Sequence, residues 1–239
     1  MSNRETIEEL LQKERYDFSD LADIMRILRS DAGCPWDREQ DHKSIRVCLI
    51  EETYEVAEAI DNEDAVLLRE ELGDLLFQIY FHAQIEAEKE AFDLSDVVDD
   101  ISKKMIHRHP HVFGSVSVKN SGEVLDNWES IKTEEKQRNT LVEKLRAIPP
   151  MMPALMRASK VGKKAGHAKE LGRDALLSHL SAQIEQMKNM PEGELGSDQI
   201  GELLLTVTDL SRTLGIDAEH ALMKTTDALI DEVAKREEA

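Results

Sequence analysis

Cysteine, proline, glycine and aromatic side chains are all in short supply in this chain of 239 residues, and each shortage excludes something. Two cysteines, Cys34 and Cys48, are too few for a disulfide framework, so a reducing, cytoplasmic setting is expected. Eleven glycines, six prolines and 4% aromatics leave little material for the turns and cross-strand pairs of a β-rich fold. No apolar run approaches the ~20 residues that a membrane-spanning helix needs. Met1 to Leu11 carries acids and no apolar leader-like stretch. Positive charge is scarce too: 30 Lys and Arg against 49 Asp and Glu give a formal charge of −19. Without a basic stripe to displace counterions, neither a nucleic acid nor a membrane is an expected partner. The balance suits a protein that handles cations.

What is abundant is Leu, Ala, Glu and Lys, the material of helices. Stop and start signals predict a first helix capped by Ser19 and ending near Ser30, before the turn Asp31-Ala32-Gly33-Cys34-Pro35. A second is expected from about Ser44 to Ile60, a third from Ala65 to Lys89, and a fourth capped by Asp93 or Ser95 and ending near His107. A fifth spans Glu123 to Lys136. Gln137 to Pro153, with three prolines, reads as a linker. Three or four further helices follow, with stops at Gly166, at Pro191 to Gly196 and at Gly215. The fold class expected is all-α.

Acidic residues on a helix usually form a solvated face, and a helical wheel tests that here. With Glu52 at zero, Glu55 falls at about −60°, while Ile45, Cys48, Leu49, Val56 and Ala59 lie between about −40° and +60°. The two glutamates therefore lie inside the apolar stripe. On the next helix Glu71 and Asp74 share a face with Leu67, Leu75, Gln78 and Ile85. Helices joined by a short turn pack antiparallel, which lets the two acidic pairs meet. Four carboxylates in one core patch repel and lose hydration, so they protonate or a cation neutralises them. Hard oxygen ligands without Cys or His select Mg²⁺, Mn²⁺ or Ca²⁺. A di-iron bundle would want Glu-x-x-His, which neither helix offers.

Glu51-Glu52-Thr53-Tyr54-Glu55 followed by Glu71-Leu72-Gly73-Asp74 resembles the EExxE and ExxD signature of the MazG family. Gly33-Cys34-Pro35-Trp36-Asp37, Gly73-Asp74-Leu75-Leu76-Phe77, Arg108-His109-Pro110-His111-Val112-Phe113 and Asn127-Trp128-Glu129-Ser130-Ile131-Lys132 follow the family order. The likeness is dense over residues 19–136 and thin beyond. It implies an all-α nucleoside triphosphate pyrophosphohydrolase, a homodimer, with water attacking the α-phosphorus. It implies Glu52, Glu55, Glu71 and Asp74 as ligands of Mg²⁺, with Mn²⁺ a possible substitute. Glu51 and Glu52 become the catalytic acids, Glu51 at the stripe's edge orienting or deprotonating the water or serving as a plain surface acid. Lys104 and Arg108, spaced i,i+4 on one helix face, become triphosphate contacts, although cations there also suit the helix dipole. Trp128 becomes the base-stacking aromatic. His107, His109 and His111 alternate around a proline and do not give zinc spacing, so a structural loop is expected.

An internal echo suggests a duplicated unit. Gly73-Asp74-Leu75-Leu76-Phe77 is matched by Gly201-Glu202-Leu203-Leu204-Leu205, and Phe92-Asp93-Leu94-Ser95-Asp96-Val97-Val98 by Ile216-Asp217-Ala218-Glu219-His220-Ala221-Leu222. In that alignment Gln199 replaces Glu71, while Ala228 and Glu232 replace Lys104 and Arg108. The expected organisation is thus two related MazG-like helical units: a catalytic domain over 19–136, a linker over 137–153, and a degenerate structural or dimerising repeat over 154–239. Two other functions fit the same residues. One is a non-catalytic nucleotide- or metal-sensing helical module; the other is a narrower hydrolase such as a dUTPase.

Overall fold

In the computed structural model, which describes residues 3–135, 140–191 and 193–237, the chain is all-helical, with no strand among the described residues. In order the helices are α1 (Asn3–Leu10), α2 (Phe18–Leu28), α3 (Pro35–Glu39), α4 (Arg46–Asp61), α5 (Ala65–Ala87), α6 (Leu94–Arg108) and α7 (Pro110–Phe113). Then come α8 (Ser121–Glu135), α9 (Leu141–Arg146), α10 (Ala154–Ala165), α11 (Arg173–Lys188), α12 (Ser197–Thr213) and α13 (Ala218–Glu237). They gather into two compact units, Met1–Trp128 and Glu129–Ala239. The proline-rich stretch carries α9, whose Thr140 cap accepts from Glu143 N at 3.2 Å. Lys136 and Gln137, where the fifth helix was expected to end and the linker to begin, lie outside the described residues.

Short acidic side chains set the helix starts of the first unit. The cap of α2 is Asp17 and not the expected Ser19: its Oδ1 accepts from Ser19 N at 2.9 Å and Asp20 N at 3.1 Å. Asp20 completes a reciprocal box by accepting from Asp17 N at 2.9 Å. Ser19 instead donates its hydroxyl to Asp17 at 2.6 Å, so the stronger acceptor took the cap. Asp93 caps α6 in the same manner, and Asp64 caps α5 through Val66 N and Leu67 N. Gly33 is where the chain turns back after α2. A Cβ there would lie 2.2 Å from the Ile27 carbonyl oxygen, a clash that only glycine avoids.

The core of this unit is Met25, Ile45, Tyr80, Phe81 and Ile85, with Leu21, Leu76, Phe77 and Leu94 packed around it. Each fully buried apolar side chain of this size contributes about 1.5–3 kcal/mol. Arg29 locks the edge. Its side chain is only 6% exposed and forks onto both oxygens of Glu88 at 2.7 and 2.8 Å. It also donates to the carbonyls of Asp37 and Gln40 and lies 5.2 Å over the Phe81 ring. One guanidinium thereby ties α2, the α3 turn and the end of α5 together.

In the second unit α12 packs against α10, α11 and α13, and α9 packs against α10. Leu176, Thr208 and Asp209 are fully buried. The Asp209 carboxylate is satisfied by His167 Nδ1 at 2.6 Å and by Arg212 at 2.8 Å. Glu219, on α13, accepts from Leu155 N at 3.1 Å and Met156 N at 3.3 Å and so caps α10 from a neighbouring helix.

Candidate functional site

The turn at residues 62–64 folds α5 back along α4, and the two helices form the principal pairing of the first unit. Ile45, Ala59, Gln78 and Ile85 are buried, four of the nine residues that periodicity put on the stripe, while Cys48, Leu49, Val56, Leu67 and Leu75 are half-buried. The acids on that stripe do converge. One carboxylate oxygen from each of Glu52, Glu55 and Glu71 lies within 4.8 Å of the others. Asp74 stands beside this trio, close enough to act on both Glu52 and Glu71. Glu51 is exposed and not part of the converging set.

The patch sits at the rim of the helix pair and not in the core. Glu52 and Glu71 are half-buried, whereas Glu55 and Asp74 are exposed. Burial, then the negative charge of Asp74 and Glu55, pushes the Glu52 pKa above the ordinary carboxylate range. Burial, then Glu55 and Asp74, does the same to Glu71. Both groups hold their protons more tightly than free glutamates because burial first, and the neighbouring negative charges next, disfavour ionisation. A divalent cation relieves that repulsion. The donor set fits one: three carboxylates, each offering an oxygen within 4.8 Å of the other two, are the hard oxygen ligands that Mg²⁺, Mn²⁺ or Ca²⁺ would take.

The cationic candidates lie elsewhere on α6. Lys104 is exposed, and its ion-pair partner among the described residues is Asp100 at 3.9 Å. Arg108, at the end of the helix, places its guanidinium over the Trp128 indole, 5.4 Å from the ring centroid. His109 meets the same indole edge-on at 4.9 Å and packs against His111 at 5.5 Å. The structure therefore joins Arg108 to Trp128, two residues that the sequence had assigned separately to phosphate and base. A cleft of about 990 Å³ opens between α2, α5 and α6, walled by Met25, Tyr80, Ala83, Leu94 and Val98.

Sequence reasoning missed a polar network farther along α5. His42 bridges His82, at 2.7 Å between Nδ1 atoms, and Glu86, at 2.5 Å. Lys89 donates to Glu86 at 2.7 Å. His82 and Glu86 are i,i+4 on one helix, a signal available locally; His42 is 40 residues away and gave none.

Comparisons with known proteins agree on one relationship. Residues 40–113 match a family described as the MazG nucleotide pyrophosphohydrolase domain. The chain is 37% identical over 223 residues to the nucleoside triphosphate pyrophosphohydrolase/pyrophosphatase MazG of Thermotoga maritima, covering 92% of this chain and 86% of that protein. It is 41% identical over 216 residues to the nucleoside triphosphate pyrophosphohydrolase of Escherichia coli K12, covering 87% and 82%. It is also 37% identical over 234 residues to the uncharacterized protein YabN of Bacillus subtilis, covering 93% of this chain and 48% of that one.

Proposed function

This chain belongs to the MazG family, and from that premise we propose that it is a Mg²⁺-dependent nucleoside triphosphate pyrophosphohydrolase, converting NTPs or dNTPs to the monophosphate and pyrophosphate. The observation that carries the proposal is the meeting of Glu52, Glu55 and Glu71 with Asp74 beside them. Those four side chains hold the cation. When bound, Mg²⁺ supplies charge neutralisation at the phosphate oxygens and at the leaving pyrophosphate. Mn²⁺, which accepts the same oxygen donors, substitutes for it.

The chain's own residues do the remaining work. Glu51 and Glu52 are adjacent acids on α4, one exposed and one with a raised pKa, and they orient the attacking water and take its proton. The water attacks the α-phosphorus, the bond to the bridging oxygen breaks, and pyrophosphate leaves with that oxygen. Lys104 and Arg108 bind phosphate oxygens through charge-assisted hydrogen bonds. For Arg108 this means leaving Trp128, which frees an indole face for the base. The 990 Å³ cleft offers a second place for the base, begins about two turns along α5 from Asp74, and is of nucleotide size. We further propose that residues 154–239 are a degenerate repeat lacking the acidic and cationic set of the first unit, and that the protein acts as a homodimer. Val47, Ile50 and Tyr54 form an exposed apolar line on α4 that supports a partner surface.

A panel of NTPs and dNTPs with Mg²⁺, scored for pyrophosphate against orthophosphate, tests the assignment. The expected products are monophosphate and pyrophosphate, with turnover lost in Glu52→Ala and in Asp74→Ala while helicity persists. Orthophosphate as the main product, absence of turnover, or near-normal rates in both variants would refute it; binding without turnover favours a sensing module. Strict preference for dUTP in the same panel would narrow the enzyme to a dUTPase.

A further inference from the structure

We propose that the second unit carries a separate binding pocket for a small oligophosphate anion, formed by Lys132, Lys144, Lys160 and Lys164. In a chain of net charge −19, a basic pocket is against the trend. Yet four lysines line a cavity of about 280 Å³ whose other described walls are Glu129, Thr133, Ala147, Ile148 and Pro149. They come from three helices: Lys132 from α8, Lys144 from α9, and Lys160 with Lys164 from α10. The last two are i,i+4 and so share a face. Non-local lysines gathered around one cavity repel one another, and a bound anion would offset that repulsion.

Glu129 supplies only part of that offset. Its Oε1 accepts from Lys164 at 2.7 Å, and its Oε2 lies 3.9 Å from Lys132. The hydrogen bond from Lys164 holds the Glu129 pKa below the ordinary carboxylate range, so the carboxylate is charged at neutral pH. Lys144 and Lys160 have no ion-pair partner among the described residues. Four cations against one anion leave the described lining at a net +3 (four lysines minus Glu129). The volume selects the ligand's size. At about 280 Å³ the cavity sits at the lower edge of the ~300–1,000 Å³ typical of sites for larger organic ligands. A compact, multiply charged ion such as pyrophosphate matches both the charge and the room; a whole nucleotide does not. This inference rests on the cavity alone and stands whether or not the proposed hydrolysis is correct.

The test is calorimetric titration of the full chain with inorganic pyrophosphate in buffer free of divalent cations, with inorganic phosphate and AMP as parallel titrants. Wild type is expected to bind pyrophosphate more tightly than either of the others. The double variant Lys144→Gln/Lys160→Gln is expected to lose at least about tenfold in affinity, the effect of one charge-assisted contact. Lys144→Arg/Lys160→Arg is expected to restore it, which separates lost charge from lost fold. Lys224→Gln/Lys235→Gln, on α13 and outside this pocket, is expected to leave the affinity unchanged, which separates the pocket from a general loss of positive charge. No pyrophosphate binding in wild type, equal affinity in the glutamine variant, tighter binding of AMP, or an equal loss in the α13 variant would each overturn the proposal.

Discussion

Glu52→Gln should move stability in opposite directions with and without Mg²⁺. In the metal-free protein, burial and the charges of Asp74, Glu55 and Glu71 raise the folded-state pKa of Glu52. Between its unfolded pKa and that raised value the folded state binds more protons, so stability falls as pH rises through the window. The penalty is absent at low pH and complete above the folded pKa. Glutamine carries no charge, so at pH 7.5 the metal-free variant should melt above wild type, and the difference should vanish as the pH falls below the ordinary carboxylate range. Mg²⁺ reverses the order. At a concentration of 100 times its dissociation constant, a cation bound only by the folded state stabilises by about 2.7 kcal/mol. For a protein of this size that is roughly 5–11 °C in melting temperature. If losing one anionic ligand weakens the site a hundredfold, the same Mg²⁺ yields only ~0.4 kcal/mol, about 1 °C. Scanning calorimetry at matched ionic strength reads both effects. An equal Mg²⁺ shift in wild type and Glu52→Gln would assign the stabilisation to general screening of the −19 charge and refute the cluster as a metal site.

Lys104→Ala and Arg108→Ala should weaken binding of a nucleoside triphosphate at least about tenfold while leaving the free nucleoside nearly unaffected, since their assigned partner is phosphate; calorimetry with both ligands decides, and equal losses would refute the role. Displacement of Arg108 from Trp128 by substrate should change the tryptophan fluorescence of a Trp36→Phe protein, and an unchanged spectrum at saturating triphosphate would show that the stack persists. Arg29→Ala should destabilise the first unit by about 3 kcal/mol, because it removes the two charge-assisted bonds to Glu88 and the donor shared by the Asp37 and Gln40 carbonyls; denaturant unfolding measures it, and a loss within experimental error would contradict the clamp. Glu88→Gln should cost stability at neutral pH but not in acid: the hydrogen bond from Arg29 lowers the folded pKa of Glu88, so its contribution is present above the ordinary carboxylate range and lost as pH falls through the folded value. Wild type and variant melting curves that stay parallel down to acid pH would count against that linkage.

The amino-acid sequence by itself determined the helical architecture and the identity of the acidic stripe. Helix periodicity and capping are local: Asp93 beside Asp96, or Glu52 beside Ile45 and Ala59, can be placed from spacing alone because 3.6 residues make a turn. The same locality explains the error at Ser19, where two cap residues on either side of Phe18 compete and Asp17 is the stronger acceptor. Only the tertiary structure decided what depends on distant segments meeting. It set the four carboxylates at a rim, with Glu52 and Glu71 half-buried and Glu55 and Asp74 exposed, in place of a core patch. It laid Arg108 across Trp128, joined His42 to His82 over 40 residues, and drew lysines from three helices around one cavity. No spacing rule encodes such meetings, because they follow from how whole helix faces pack and not from the order of neighbours along the chain.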